Sequence, residues 1–286
     1  MSDAAEASDS GEITRPSSTT RVEVVTVEEG ARTRRNDSLA TEEPLEIRVE
    51  QPGGEQRNVA VTMRTPGDDF ALAVGFLFTE GLIAGQTDVK SIRYCSVART
   101  EQHYNVVSVA VTRTLELEAQ RNFYATSSCG ICGKASLDMI DVQCAPIEDG
   151  PLVEAATIVG LPHELRRVQS LFDRTGGLHA AALFDPAGRL IRSHEDVGRH
   201  NAVDKLVGSE LLAGHLPLSA GVLLVSGRAS FEIIQKAATA GIPIVCAVSA
   251  PSSLAVAAAR RFGLTLIGFL RDQRFNVYTR ADRIAA

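Results

Sequence analysis

Two cysteines three positions apart in a glycine-rich run are the most reactive arrangement in the chain: Ser127-Ser128-Cys129-Gly130-Ile131-Cys132-Gly133-Lys134. Such a pair can share a disulfide, supply half of a zinc site or present a nucleophilic thiolate. Nearby positive charge raises the thiolate population, and Lys134 lies two residues beyond Cys132. A structural zinc site needs two further ligands, and no second CxxC exists. A thioredoxin-type pair belongs between a first strand and its helix, whereas this one follows roughly a hundred residues of other structure. The remaining cysteines, Cys95, Cys144 and Cys246, make the count odd, which argues against a disulfide framework.

A second polar cluster is Ser193-His194-Glu195-Asp196-Val197-Gly198-Arg199-His200-Asn201. Its histidines are six apart, so it is not the HExxH motif of zinc proteases. It suits holding an anion or ordering a neighbouring loop, or Asp196 or Asn201 simply caps the following helix. A third group consists of strand-to-helix turns. Ser226-Gly227-Arg228-Ala229-Ser230 follows one apolar run and Ser249-Ala250-Pro251-Ser252-Ser253 the next. A third strand end reads Phe269-Leu270-Arg271-Asp272-Gln273-Arg274. Ligands of open α/β sheets bind at the carboxyl ends of strands, and arginine forks suit phosphates. These turns therefore predict a nucleotide-like ligand, with solvated turns and ordinary capping as the plain alternatives. Deaminase chemistry is disfavoured: His179 is followed by Ala180 and Ala181, without the HxE glutamate, and the CxxC precedes it.

The elements that must position these residues fall into two halves. Residues 1–20 lack periodicity and are expected to form a disordered tail. Strands are predicted at Arg21–Val27, Leu45–Val49, Asn58–Met63, Ser91–Val97 and Asn105–Thr112. Pro66-Gly67-Asp68-Asp69 supplies a turn and a cap for a helix over Phe70–Leu82, with Phe70, Ala73, Val74, Leu77 and Phe78 on one face. Residues 21–120 thus predict a small α+β domain with a mostly antiparallel sheet. Residues 121–135 form the reactive cysteine loop, followed by a short helix over Ala135–Ile140. Beyond it, 136–286 alternates strand and helix: a helix at His163–Asp173 stopped by Gly176-Gly177, strands at Ala180–Asp185 and Arg189–Ser193, and a helix at Asn201–Leu212. A strand at Gly221–Ser226, a helix at Phe231–Ala240, a strand at Ile244–Val248, a helix at Ser253–Phe262 and a strand at Thr265–Phe269 complete a layered α/β pattern.

Composition narrows the partners. The 286 residues are 44% hydrophobic and 22% charged, an ordinary globular balance. A net charge of −6 speaks against a general nucleic-acid binder. Apolar runs such as Ile242–Val248 are far too short to span a membrane, and Met1–Ser10 is acidic, without the apolar stretch of a secretory signal. A cytoplasmic protein with no membrane partner is expected. Of 29 basic residues only Lys90, Lys134, Lys205 and Lys236 are lysines, a bias best explained by a GC-rich genome.

Taken together, the SSCGICGK run, Asp196-Val197-Gly198-Arg199-His200-Asn201-Ala202-Val203-Asp204-Lys205, Ser226-Gly227-Arg228 with Glu232 and Lys236, Gly241-Ile242-Pro243, Ser249-Ala250-Pro251, and Gly268-Phe269 with Arg271 resemble the formate dehydrogenase accessory sulfurtransferase (FdhD) family. Glu43-Pro44-Leu45-Glu46-Ile47, Gly75-Phe76-Leu77 and Thr79-Glu80-Gly81 fit as well, so the likeness runs from about residue 21 to 283. The resemblance implies a sulfurtransferase that takes persulfide sulfur from a cysteine desulfurase. It passes that sulfur to the molybdenum or tungsten bis(molybdopterin guanine dinucleotide) cofactor, carried as cargo and mimicked by guanine nucleotides, for the formate dehydrogenase catalytic subunit. It implies a homodimer and a three-layer cytidine-deaminase-like second domain without the deaminase zinc. It also implies Cys129 as the persulfide carrier and cofactor binding by Phe269, Leu270, Arg271, Asp272, Gln273 and Arg274, which Arg228 and Ser249 join from the turn argument; by thiol chemistry Cys132 either resolves the Cys129 persulfide through a disulfide or only supports Cys129. The alternatives are a non-catalytic molybdenum-cofactor chaperone, a dithiol oxidoreductase and a structural zinc protein.

Overall fold

The structure is a computed structural model that describes residues 16–95, 104–115, 123–125 and 145–285. It is a mixed α/β fold with six α-helices among these residues. Strands β1 (Thr19–Glu28) and β2 (Ala31–Ala40) pair as an antiparallel hairpin. The sequence suggested only the first of them, and β1 already starts within the expected tail, at Thr19.

A five-stranded sheet follows, in the order β5-β6-β3-β4-β7. It is built from β3 (Glu43–Glu50), β4 (Gln56–Arg64), β5 (Val89–Tyr94), β6 (Val106–Val111) and β7 (Phe123–Ala125). Two of its pairings are antiparallel and two parallel, where a mostly antiparallel sheet was expected. The reason is helix α1 (Asp69–Thr79), whose crossover returns β6 alongside β3 in the same direction. Strand β7 lies inside the stretch read from sequence as loop.

The second sheet has six strands in the order β10-β9-β11-β12-β13-β14. They are β9 (His179–Phe184), β10 (Leu190–Asp196), β11 (Val222–Val225), β12 (Ile244–Ala247), β13 (Thr265–Arg271) and β14 (Arg274–Thr279). Only β11-β12-β13 is parallel. A short parallel pair, β8 (Val153–Glu154) with β15 (Ile284–Ala285), joins the chain end to the start of helix α2 (Ala155–Val168). The single helix predicted over His163–Asp173 is in fact two. Helix α2 starts eight residues earlier and carries Pro162 in its interior, and α3 (Ser170–Thr175) restarts after Gln169 leaves helical geometry at ψ 61°. The stop was correctly placed, since Gly176 adopts φ 66° as the C-cap of α3.

Helices α4 (Arg199–Leu212), α5 (Phe231–Thr239) and α6 (Ser253–Arg261) cover one face of the six-stranded sheet. On the other face, Ile158, Leu161 and Leu165 of α2 pack against Ala180, Ala182, Phe184, Leu224 and Ile267. Above α4–α6, one continuous apolar cluster runs from Leu183, Leu223, Val245 and Leu266 through α4 and α1 to Leu45, Ile47, Val107 and Val109 of the five-stranded sheet. Helix α1 is buried all round from Ala71 to Thr79, not on one face, because α4 closes the side that a lone helix would show to water. The two helices cross at reciprocal glycines: a Cβ on Gly75 would sit 1.9 Å from the Asp204 carbonyl oxygen, and one on Gly208 1.9 Å from that of Ala71. No other residue permits that approach.

The turn before α1 differs from expectation. Asp68 occupies the N-cap at φ 54°, but its side chain makes no cap hydrogen bond. It instead lies 3.1 Å from His194 Nδ1 in the second half, while Asp69 takes a two-pronged pair with the buried Arg64 guanidinium, both contacts 3.0 Å. Asn201 does not cap α4 either, because that helix begins two residues earlier with Gly198 at the N-cap.

Candidate functional site

Five chain segments come abreast at one edge of the six-stranded sheet. Asp196, ending β10, stands in register opposite His179, which starts β9. Ser226 N–H donates to the Ala180 carbonyl and Ser226 Oγ accepts the Ala180 N–H, each at 2.9 Å. Gly227 therefore lies against His179, and a Cβ there would meet the imidazole at 3.3 Å. Ser249 N–H donates to the Gly227 carbonyl at 3.3 Å, and Phe269 N–H to the Ser249 carbonyl at 3.1 Å. A parallel bridge between Ala229 and Pro251 closes the middle of the row. The strand-end turns singled out by sequence are thus stitched side by side.

Within the row, Ser249 and Phe269 are half-buried and Arg228 is exposed. Phe269 holds φ 53° at a bulge between Gly268 and Arg271, which carries β13 two residues past its predicted end. Leu270 points into the core, so it offers a ligand only its backbone. Arg271 pairs in register with Arg274, making a hairpin whose tip is Asp272-Gln273. That tip borders a groove of about 630 Å³ against α2, beside Gly160, His163 and Gly188. The predicted segment Phe269–Arg274 therefore divides, with Phe269 in the strand-edge row and Asp272 and Gln273 on the α2 side.

The Asp196–Lys205 motif divides too. Asp196 is fully buried; it lies 2.7 Å from Lys205 Nζ and accepts N–H groups of Thr65 (3.2 Å) and Gly198 (2.8 Å) and the amide of Asn201 (3.0 Å). Lys205 also donates to the Thr65 carbonyl at 2.9 Å, and Asn201 to that of Met63 at 2.7 Å. These residues tie the two halves together, so of the readings open from sequence, the ordering of a neighbouring loop describes them. One turn further on, Lys236 of α5 reaches Asp204 (2.9 Å), Glu80 (3.1 Å) and Thr79 (2.9 Å). Burial pulls the Lys236 ammonium down, but the Asp204 and Glu80 carboxylates outweigh it and push it up to about 12.

Arg199 and His200 turn the other way, toward the row. His200 Nε2 lies 3.1 Å from Ser230 Oγ and 3.6 Å from Glu232, and this hydrogen bonding holds the Glu232 carboxyl at about 2 despite partial burial. Burial lowers His179, and the charges of Arg199 and His200 lower it further, against a smaller opposing pull from Asp196. Glu195, next to Asp196, accepts the N–H groups of Leu171 and Phe172 at 3.0 and 2.8 Å and so seats α3. Sequence reading met His179 only in rejecting a deaminase motif. Its role in the row was invisible because the partners lie 17 to 90 residues away.

Cys129, Cys132, Cys144 and the helix expected over Ala135–Ile140 lie outside the described residues. Cys246 is buried in β12, where desolvation pushes its thiol well above the usual range, and Cys95 is half-buried. Among the described residues no helix is long and apolar enough to cross a membrane.

Fold and edge together define a mixed α/β protein in which the strand ends of one sheet bring His179, Ser226, Gly227, Ser249 and Phe269 side by side. Residues 40–285 match the FdhD/NarQ family, and the chain belongs to it. It is 54% identical over 275 residues to the sulfur carrier protein FdhD of Streptomyces coelicolor, covering 93% of this chain and 96% of the relative. It is 52% identical over 261 residues to the sulfur carrier protein FdhD of Mycobacterium tuberculosis, covering 87% and 92%. A crystal structure from Desulfotalea psychrophila, provisionally described as a formate dehydrogenase accessory protein, superposes with a TM-score of 0.74 at 29% identity, covering 93% of this chain and 99% of that one.

Proposed function

We propose that this chain is a cytoplasmic sulfur carrier for formate dehydrogenase maturation, receiving sulfur as a persulfide on Cys129 and delivering it to a bis(molybdopterin guanine dinucleotide) metal cofactor. The observation that carries this reading is near-full-length identity above 50% to proteins named sulfur carriers. It is joined by a CxxC in a glycine-rich run and by the row of strand-end turns that carries Arg228. The Cys129 thiolate attacks the outer sulfur of a desulfurase persulfide, and the donor leaves as a thiolate, so the transfer needs no added oxidant. Delivery then breaks the S–S bond of the Cys129 persulfide. Where Cys132 is the attacking group, hydrosulfide leaves and a Cys129–Cys132 disulfide remains for a cellular dithiol to reduce. Arg228, Arg271 and Arg274 would hold the cargo's phosphates with Ser249 and Phe269 beside them, and formate dehydrogenase receives the product. The six-stranded sheet between α2 and α4–α6 supports a cytidine-deaminase-like three-layer reading of the second half, and a homodimer is the assembly expected of it.

The test is the mass of the protein after incubation with desulfurase and cysteine. One added sulfur should appear on the Cys129 peptide of the wild type and be absent from Cys129→Ala. Persulfide at the wild-type level in Cys129→Ala would overturn the assignment, and release of bound cofactor without any sulfur uptake would favour the chaperone alternative.

A further inference from the structure

Arg199 is the one residue of its motif left without a counterpart. Its Nε is buried with no hydrogen-bond partner, and no ion pair reaches its guanidinium among the described residues. Arg199 as a whole is half-buried, but burying its Nε without an acceptor is costly, and such a group in a folded protein calls for an explanation. The neighbouring carboxylates are committed elsewhere: Asp196 to Lys205, Asn201, Thr65 and Gly198, Glu195 to the start of α3, and Glu232 to His200. His179 lies close enough for Arg199 and His200 to oppose its protonation, with Asp196 the only described acid acting the other way. Arg199 is thus a half-buried cation whose nearby acids are all spent, and His179, held toward its neutral form beside Asp196 and Gly227, has an N–H to donate to an anion there.

We infer that Arg199 and His179 form an anion subsite that takes a phosphoryl group of the nucleotide portion of the ligand, at the inner end of the row that Arg228 and Ser249 continue. The inference rests on the cofactor-binding part of the proposed function and adds residues to it. Gly227 is suited to the same purpose, because any side chain there would press on the His179 imidazole. In this arrangement the exposed Arg228, Arg271 and Arg274 gather the anion, and the half-buried Arg199 seats it.

Calorimetric titration of the full chain with inorganic pyrophosphate and with GDP, using Arg199→Gln and His179→Gln, tests this. Arg199→Gln should weaken both ligands at least about tenfold. It should leave the melting temperature of the ligand-free protein unchanged or slightly raised, because a half-buried charge whose Nε has no partner is removed; His179→Gln should weaken both ligands less. An arginine that merely supports the fold would lower the melting temperature instead, and that result, or unchanged pyrophosphate affinity in a folded Arg199→Gln, overturns the subsite. So does wild type that fails to bind pyrophosphate, or a loss confined to GDP, which would place the effect at the base. Persulfide mass on the same samples keeps the two readings apart: normal sulfur loading with unchanged pyrophosphate binding sinks the subsite alone, whereas lost pyrophosphate binding with a wild type that never loads sulfur sinks the carrier reading alone.

Discussion

Asp196, Asn201, Asp204 and Lys205 on one side, and Arg199 and His200 on the other, leave the same ten residues and meet opposite surroundings. The first four face α1 and the Thr65 turn, where every charge has a partner within about 3 Å. The other two face the strand edge, where His200 is paired but Arg199 is not. Helical periodicity makes this division: Asn201, Asp204, Lys205 and Gly208 follow i, i+3, i+4, i+7 and share one stripe, and Arg199 lies at the helix start, off that stripe. A buried charged network that is fully satisfied holds a seam, whereas the half-buried Arg199 keeps its Nε without a partner.

The seam should break most severely when one partner is removed. Lys205→Ala leaves Asp196 charged and buried, which should cost about 3–5 kcal/mol in urea unfolding. Replacing the pair together, as Asp196→Leu with Lys205→Met, should recover much of that loss. If the single variant is as stable as wild type, the seam network contributes nothing to holding the halves together. Gly208→Ala tests the apolar side of the same seam. Its Cβ would collide with the Ala71 carbonyl, forcing α1 and α4 apart at a cost of about 3 kcal/mol, the upper end for overpacking.

The strand edge should respond in binding rather than stability. Arg228→Ala and Arg271→Ala should each weaken GDP by about 1.5–3 kcal/mol in calorimetry, with melting temperatures within a degree or two of wild type. Unchanged affinity in both would remove phosphate binding from this edge. Between the two regions lies the His200–Glu232 pair. The folded Glu232 carboxyl is held at about 2, below its ordinary 4.5, so its contribution is fully present above about 4.5 and lost as pH falls toward 2. The stability gap between wild type and Glu232→Gln, followed by unfolding at several pH values, should close as pH falls across that window. The smallest effect is expected at Cys246. Its buried, protonated thiol should resist alkylation in the folded protein, and Cys246→Ala should still load sulfur.

Order along the chain, the α/β alternation of the second half and the strand-end turns were legible in the residues, because apolar period and turn chemistry are local properties. So were the burial of Cys246, inside an unbroken apolar run, and the stop at Gly176, whose positive φ suits glycine. Local signals misled where a neighbour overrode them. Asp68 has the residue type of a helix cap but spends its carboxylate on His194. The helix expected to start at His163 begins at Ala155, with Pro162 inside it. Leu270 belongs to a ligand-binding segment by resemblance while its side chain fills the core. The crossing of Gly75 with Gly208, the packing of Gly227 against His179 and the reach of the Arg199 charge to His179 were beyond sequence reading altogether. Contacts across 20 to 133 residues depend on which faces of distant elements are pressed together, and no periodicity within one segment encodes that pairing. The amino-acid sequence by itself determined which residues can carry sulfur, charge or phosphate. Only the tertiary structure decided which of those charges neutralise one another in the seam and which stay open at the edge, because desolvation and pairing are set by neighbours in space.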